Sequence, residues 1–216
     1  ERVRATGTWT LVWRCDSAEP AHVQQLMALT AGPLCLAGVW HAAGVLADGL
    51  LASQVAGSLA RVCAPKTHGA CTLQRACGVV ALRACSLFSS VAALLGGAGQ
   101  ANYSAANACL DALSLCRCAC SRVGVAVQWG AWAEIGMAAR GAAAARMAAM
   151  EAATGFGRIS PAHGLSALHL VVLPRAPPLL GVVPAQWQRM QGSGAVPAFL
   201  GGLVVPPTTK VLSTTS

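Results

Sequence analysis

Short apolar runs punctuate this chain, with helical patterns between them. Trp9–Trp13 (WTLVW) has β propensity and is followed by Cys15-Asp16 and a helical pattern from about Pro20 to Leu29. Leu36–Trp40 is a second run, ending in His41-Ala42-Ala43-Gly44. Asp48 is a natural first-turn acid and predicts a helix to about Val62. Pro65 then predicts a break, with a new helix starting just beyond it. Ala84–Ser89 is a strand that delivers Ser90, and Asn102–Arg117 is an Ala-rich helix. Val123–Gln128 (VGVAVQ) is nearly continuous in apolar character, as a buried parallel strand should be. Ala138–Ala153 has helical propensity. Ser160-Pro161 reads as a cap with proline at the first helical position. Leu179–Val183 is the last strand. The chain turns Gly/Pro/Thr-rich from about Gly192 and resembles a linker from Pro206. No internal repeat is present.

Composition narrows the class. The 216 residues allow one domain, with or without a tail, and 55% hydrophobic against 10% charged residues permits a sizeable core. The formal charge is +8, carried almost wholly by scattered Arg; the two lysines are Lys66 and Lys210. No basic run is interleaved with aromatics, which argues against nucleic acid. A basic surface suits dinucleotide phosphates or an acidic carrier protein, and a generally Arg-rich composition explains it as well. The ten cysteines fall at irregular intervals and read as reduced thiols of an intracellular protein. Of Cys116, Cys118 and Cys120 only the first and last share a helical face, and no nearby His completes a tetrahedral set, so no metal is expected. No apolar stretch reaches membrane-spanning length and no signal peptide opens the chain, so no membrane is expected.

Candidate chemistry gathers between Leu87 and Trp132. A strand end at Ser89-Ser90 is followed by a Gly-rich loop (Gly96, Gly97, Gly99) and then by Tyr103, the only tyrosine, at the head of a helix. Asn107, four residues on, shares its face. A hydroxyl at a sheet edge and a phenol one loop later can face one point. The small residues of His41-Ala42-Ala43-Gly44 allow close backbone approach to a ligand, and equally a tight strand-to-helix turn; the His41 side chain reads as packing.

This stretch resembles the active-site segment of a ketoreductase domain from a modular polyketide synthase, a branch of the short-chain dehydrogenase/reductase family. The resemblance extends to GVWHAAGVLADGLL (Gly38–Leu51), LARVCAPKTHGA (Leu59–Ala70) and QWGAWAEIGMA (Gln128–Ala138), in the family's order. It implies an α/β, Rossmann-like, doubly wound parallel sheet with helices on both faces. It also implies NADPH-dependent reduction of a β-ketoacyl thioester, held on an acyl carrier protein, to the β-hydroxyacyl thioester in polyketide or fatty acid biosynthesis. In that reading Tyr103 gives the proton and Ser90 holds the carbonyl oxygen. Lys66, 24 residues before Ser90, lowers the phenol's pKa, and Asn107 supports Lys66 and a proton-relaying water. Asn107 stands where most of the superfamily has the lysine, an exchange that the polyketide branch shares.

For the cofactor the resemblance implies contacts from Asp16 (adenine), His41, Ala42, Ala43 and Gly44, and from Trp129 and Gly130 beside the nicotinamide. Asp16 fits a turn before a helix equally, and Trp129 fits a core aromatic. Asp48 stands in a partial Leu-Asp-Asp signature whose middle residue here is Ala47. Leu95 stands where the other subtype has Trp. Asp48, Leu95 and Gln100 thus point to substrate orientation of the B type. The segment at 138–153 resembles a mobile lid.

The departure is at the front. No G-x-G-x-x-G precedes Trp9, so the first βαβ portion of the fold and its pyrophosphate-binding turn are expected to be missing, leaving the Trp9 strand without neighbours. The reading is therefore a partial ketoreductase domain over residues 1–190 with an extension over 191–216, a piece of a larger synthase working beside other synthase domains in the cytoplasm or an organelle. A degenerate, non-catalytic module that docks a carrier is the alternative.

Overall fold

The computed structural model describes residues 7–8, 10–30, 36–134, 151–152, 155–187, 190 and 198–203. It divides into two units, Glu1–Gly130 with Ala162–Val182, and Ala131–Pro161 with Val183–Ser216.

In the first unit the apolar runs become a parallel sheet. The strands are β1 (Gly38–His41), β2 (Ala84–Ser90), β3 (Val125–Trp129) and β4 (Leu179–Val182), hydrogen-bonded in that order, all parallel. The helices are α1 (Pro20–Thr30), α2 (Ala56–Cys63), α3 (Gly69–Ala76), α4 (Ala92–Leu95), α5 (Ala101–Ala119) and α6 (Pro161–Val171). Every strand-to-strand connection carries helix, as parallel neighbours require. This is the expected α/β architecture. β3 is buried at every position, and Cys85, Leu87 and Ala126 pack against Ala70 of α3 and Leu110 of α5. That apolar layer fixes α5 against the sheet.

Three expectations are corrected. Residues 10–16 take no regular structure, and Leu11, Val12 and Trp13 are 73%, 94% and 47% exposed; Trp9 lies outside the described residues. A strand gains its stability from cross-strand pairs, and these residues have none. The helix expected from Asp48 begins later. A single 3-10 turn spans Leu51–Ser53 and the α-helix starts at Ala56, where Ser58 Oγ accepts the Val55 N–H at 3.2 Å. Asp48 caps nothing there.

Pro65, finally, does not end the helix. α2 and α3 are joined by a π-turn over Ala64–His68, in which the Gly69 N–H reaches back to Ala64 O. Proline lacks an N–H and its ring crowds the preceding turn. The wider i→i+5 turn absorbs both defects at the start of the segment. The chain stays helical, and Lys66, in the middle of that turn, is directed into the protein, 3% exposed.

The second unit is described by two isolated bridges, Trp132 with Ile159 and Phe156 with Ala185, and by an ion pair of Arg158 Nε with Glu151 Oε2 at 3.1 Å. Of the segment expected to form a lid only residues 151–152 are described, and the expected linker falls largely outside the described residues.

Candidate active site

Three elements carry the candidate residues. β2 ends at Ser90, α5 presents Tyr103 and Asn107, and the π-turn presents Lys66. α5 buries Asn102, Tyr103, Ala106, Asn107, Leu110, Asp111, Ser114 and Arg117, which is a helical stripe laden with polar groups. Burying so many polar groups costs stability unless each finds a partner, so their placement is informative.

Lys66 crosses beneath this stripe. Its Nζ donates to Phe88 O at 2.9 Å and lies 5.4 Å from the centroid of the Tyr103 ring. Burial pushes its pKa down to about 8, and the carboxylate of Asp111 acts in the opposite direction. Two of the residues assigned by resemblance to cofactor contact hold it. A Cβ on Gly44 would stand 3.0 Å from Lys66 Cε, so glycine there leaves the path of the lysine open. His41 is buried, and its Nε2 lies 3.2 Å from Lys66 O, a contact that ties the π-turn to β1. Burial lowers the His41 pKa, so the ring is neutral at pH 7.

Tyr103 is also buried, and burial raises its pKa; the polar side chains of Asn107 and Ser90 beside it pull the value back, and Asp48 raises it. Desolvation dominates the phenol's pKa, with the Lys66 ammonium standing over the ring face. Asn107 is fully buried. Its Nδ2 donates to Tyr103 O at 2.8 Å, while its Oδ1 has no hydrogen-bond partner among the described residues. Ser90 Oγ accepts the Ala92 N–H at 3.2 Å, which orients the hydroxyl at the start of α4.

A second cluster lies at the N-terminal end of α5. Gln100 Nε2 is 3.4 Å from both carboxylate oxygens of Asp48, so these two residues meet as a pair. Gly49 N donates to Gly99 O at 2.8 Å. Gly99 has φ +73°, a backbone that glycine takes without strain, and a Cβ there would meet the Gly49 backbone at 3.5 Å. Leu95 is half-buried at the end of α4.

Asn102 is the residue the sequence reading missed. Its Nδ2 donates to Ala47 O at 2.8 Å and to Gln54 Oε1 at 3.1 Å, and its Oδ1 accepts the Tyr103 N–H at 2.7 Å. One amide thus clamps the segment 47–54 to the helix turn that carries Tyr103. The only signal was an amide directly before Tyr103 in a helix start otherwise rich in alanine. Asn102→Ala leaves a buried N–H and carbonyl without their partner, and is expected to lower stability by about 1–3 kcal/mol. Urea denaturation measures this; an unchanged midpoint would show that the clamp holds nothing.

The remaining assigned residues are placed separately. Asp16 is exposed and its Oδ1 accepts the Ala18 N–H at 2.9 Å, the local turn that its sequence context also allowed. Trp129 is buried with its ring 5.5 Å from that of Phe88, so it packs in the core. Gly130 N donates to Val182 O at 2.8 Å and prolongs the β3–β4 pairing. Ala42 is exposed and Ala43 half-buried at the C-terminal end of β1. β1 and β2 both end at this side, where ligands of open parallel sheets bind.

As a set, Lys66, Tyr103, Ser90 and Asn107 offer a buried cation, a protonated phenol, a hydroxyl and an open amide acceptor. Such a set fits the ribose and nicotinamide end of a dinucleotide and a carbonyl being reduced beside it. The chain offers no glycine-rich turn for the pyrophosphate before β1.

Comparison with known proteins agrees with this geometry. A family model described as KR domain matches residues 1–134. The chain is 40% identical over 189 residues to polyketide synthase GfsB of Streptomyces halstedii, covering 88% of this chain and 3% of that protein. It is 39% identical over 174 residues to phthioceranic/hydroxyphthioceranic acid synthase of Mycobacterium tuberculosis (strain ATCC 25618 / H37Rv), covering 80% of this chain and 8% of that protein. It superposes with a TM-score of 0.80 and 31% identity on a solved ketoreductase from the first module of phoslactomycin biosynthesis in Streptomyces sp. HK803, over 94% of this chain and 46% of that one. The chain therefore spans a small part of the curated relatives it matches and under half of the solved ketoreductase chain.

Proposed function

The chain belongs to the KR domain family, and from that premise we propose that it reduces a β-ketoacyl thioester, carried on an acyl carrier protein, to the β-hydroxyacyl thioester, with NADPH as reductant. The observation that carries the reading is the convergence of Lys66, Ser90, Tyr103 and Asn107 from three separate elements on one buried locus. A chain that had merely kept the fold would have no reason to bury a lysine ammonium beneath a tyrosine ring.

The dinucleotide, when bound, supplies the hydride. The protein's own groups deal with the charge and the proton. Hydride arrival builds negative charge on the substrate oxygen, and Ser90 and Tyr103 are the donors that meet it. Burial keeps Tyr103 protonated through neutral pH, so it has a proton to give. The Lys66 cation beneath the ring stabilises the phenolate left behind. Asn107 Oδ1, buried with an open lone pair, is suited to hold the water that returns a proton along this row. Ala42, Ala43, Gly44, Trp129 and Gly130, at the C-terminal ends of their strands, border the nicotinamide side, and Asp16 the adenine side. Asp48 with Gln100, and Leu95, orient the substrate so that reduction is of the B type. Residues 1–190 act as the ketoreductase part and 191–216 as an extension, within a synthase whose other domains supply and take up the carrier.

The test uses the purified protein, NADPH and an N-acetylcysteamine β-ketothioester. Consumption of NADPH matched by β-hydroxythioester formation is expected. A protein that binds a carrier protein but consumes no NADPH would instead be a degenerate docking module, and the reductase reading would be wrong.

A further inference from the structure

The polar stripe of α5 continues past Asn107, and its next member has no place in the chemistry so far. Asp111 stands one turn on, 8% exposed. Its Oδ2 accepts from Gln128 Nε2 of β3 at 2.7 Å, and its Oδ1 has no hydrogen-bond partner among the described residues. A buried carboxylate with one oxygen tied and one open is costly unless a cation answers it. Gln128 pairs across the sheet with Ser89, next to Phe88, whose carbonyl accepts from the buried Lys66 Nζ at 2.9 Å. The ammonium and the carboxylate are thus held by adjoining positions of β2 and β3, and the charge of Asp111 favours that of Lys66.

We propose that Asp111 is a positioning residue for the reduction, a carboxylate fixed by Gln128 that holds the Lys66 ammonium in its charged form beneath Tyr103. The proposal rests on the reductase reading for its consequence, though not for its electrostatics. Around Lys66 the titratable groups are His41 from β1, Tyr103 and Asp111 from α5, and Asp48, which acts on Tyr103. His41 is neutral and Tyr103 protonated near pH 7, so Asp111 is the group that offsets desolvation of the ammonium. An opposite charge acting across the interior raises a lysine pKa by about one unit. Without it Lys66 would lose its proton near neutral pH and the phenolate would lose its support.

The experiment is Asp111→Asn, which removes the charge and keeps the shape and an acceptor for Gln128. The chain has two lysines, Lys66 and Lys210, so lysine labelled with 13C at Cε gives two resonances, assigned by Lys66→Met. In D111N the Lys66 titration midpoint is expected to fall by about one unit with Lys210 unmoved. The alkaline limb of NADPH oxidation should move down with it. Asp111→Glu should restore both. An unchanged Lys66 midpoint in D111N, or a D111E midpoint displaced as in D111N, overturns the proposal. If D111N does not fold, D111S carries the same measurement. A wild type that shows the expected midpoints but reduces no ketothioester would sink the reductase reading and leave the hold of Asp111 on Lys66 standing.

Discussion

Replacing Tyr103 with Phe should lower the rate of NADPH consumption by about three orders of magnitude and leave the fold in place. Loss of a positioned general acid costs typically about 10²- to 10⁴-fold. The loss falls well inside that range because nothing else in the described site can donate in its place. Ser90 Oγ is a hydroxyl without a cation beneath it, and Lys66 Nζ is turned to Phe88 O under the ring. The ring itself packs with Val62, Ala92 and Ala106, contacts that Phe keeps. Thermal denaturation should therefore coincide for the two proteins while turnover separates them. Equal turnover in both would remove Tyr103 from the reaction.

Lys66→Met should do the opposite to stability while also abolishing turnover. The folded pKa of Lys66 is about 8, below its ordinary 10.5, so the fold disfavours the charged form. Below about pH 8 folded and unfolded chains are both protonated and the penalty is fully present. Between about 8 and 10.5 the folded chain has released its proton and the unfolded chain has not, so stability rises with pH. Above that window no penalty remains. Met fills the same path without a charge, and at pH 7 it should stabilise the protein by about 2 kcal/mol, the relieved desolvation less the unpaired Phe88 carbonyl. The gain should vanish by pH 10.5. Urea denaturation at pH 7 and pH 10 measures both; a mutant less stable than wild type at pH 7 would mean the buried ammonium is well compensated. A lysine that costs the fold this much marks a candidate functional position.

The parts of the fold legible in the sequence were those where local pattern and burial agree. Ala84–Ser90 and Val125–Trp129 are apolar runs buried in the sheet centre, and α5 carries its stripe at helical spacing. The strand at Trp9–Trp13 and the helix start at Asp48 were misread because each depends on something outside its own segment. The first needs a neighbouring strand. In the second, Asp48 is engaged by Gln100, 52 residues on, and helix begins only where Ser58 can cap it. Pro65 was misread because a π-turn tolerates proline where an α-turn does not. Within the site, Ser90, Tyr103, Asn107 and Lys66 were legible through family resemblance. Asp111 was within reach of periodicity alone, four residues beyond Asn107. Asn102 and the role of Gly44 were not, since both act through side-chain contacts that only the tertiary structure brings about.

The π-turn over Ala64–His68 has a consequence for which changes of length this protein can accept. A π-turn is an α-helix holding one residue more than its pitch requires. Deleting any one residue between Ala64 and His68 would let the two flanking helices fuse into regular α-helix, with good hydrogen bonds and little loss of local stability. Because the wide turn already holds the surplus residue, the two flanking helices would keep their mutual phase, and Val62 and Ala70 would stay in their core clusters. The cost would fall on the turn itself, whose middle residue, Lys66, would no longer be carried beneath the Tyr103 ring. At this spot a deletion can spare the fold and still remove the ammonium from its place.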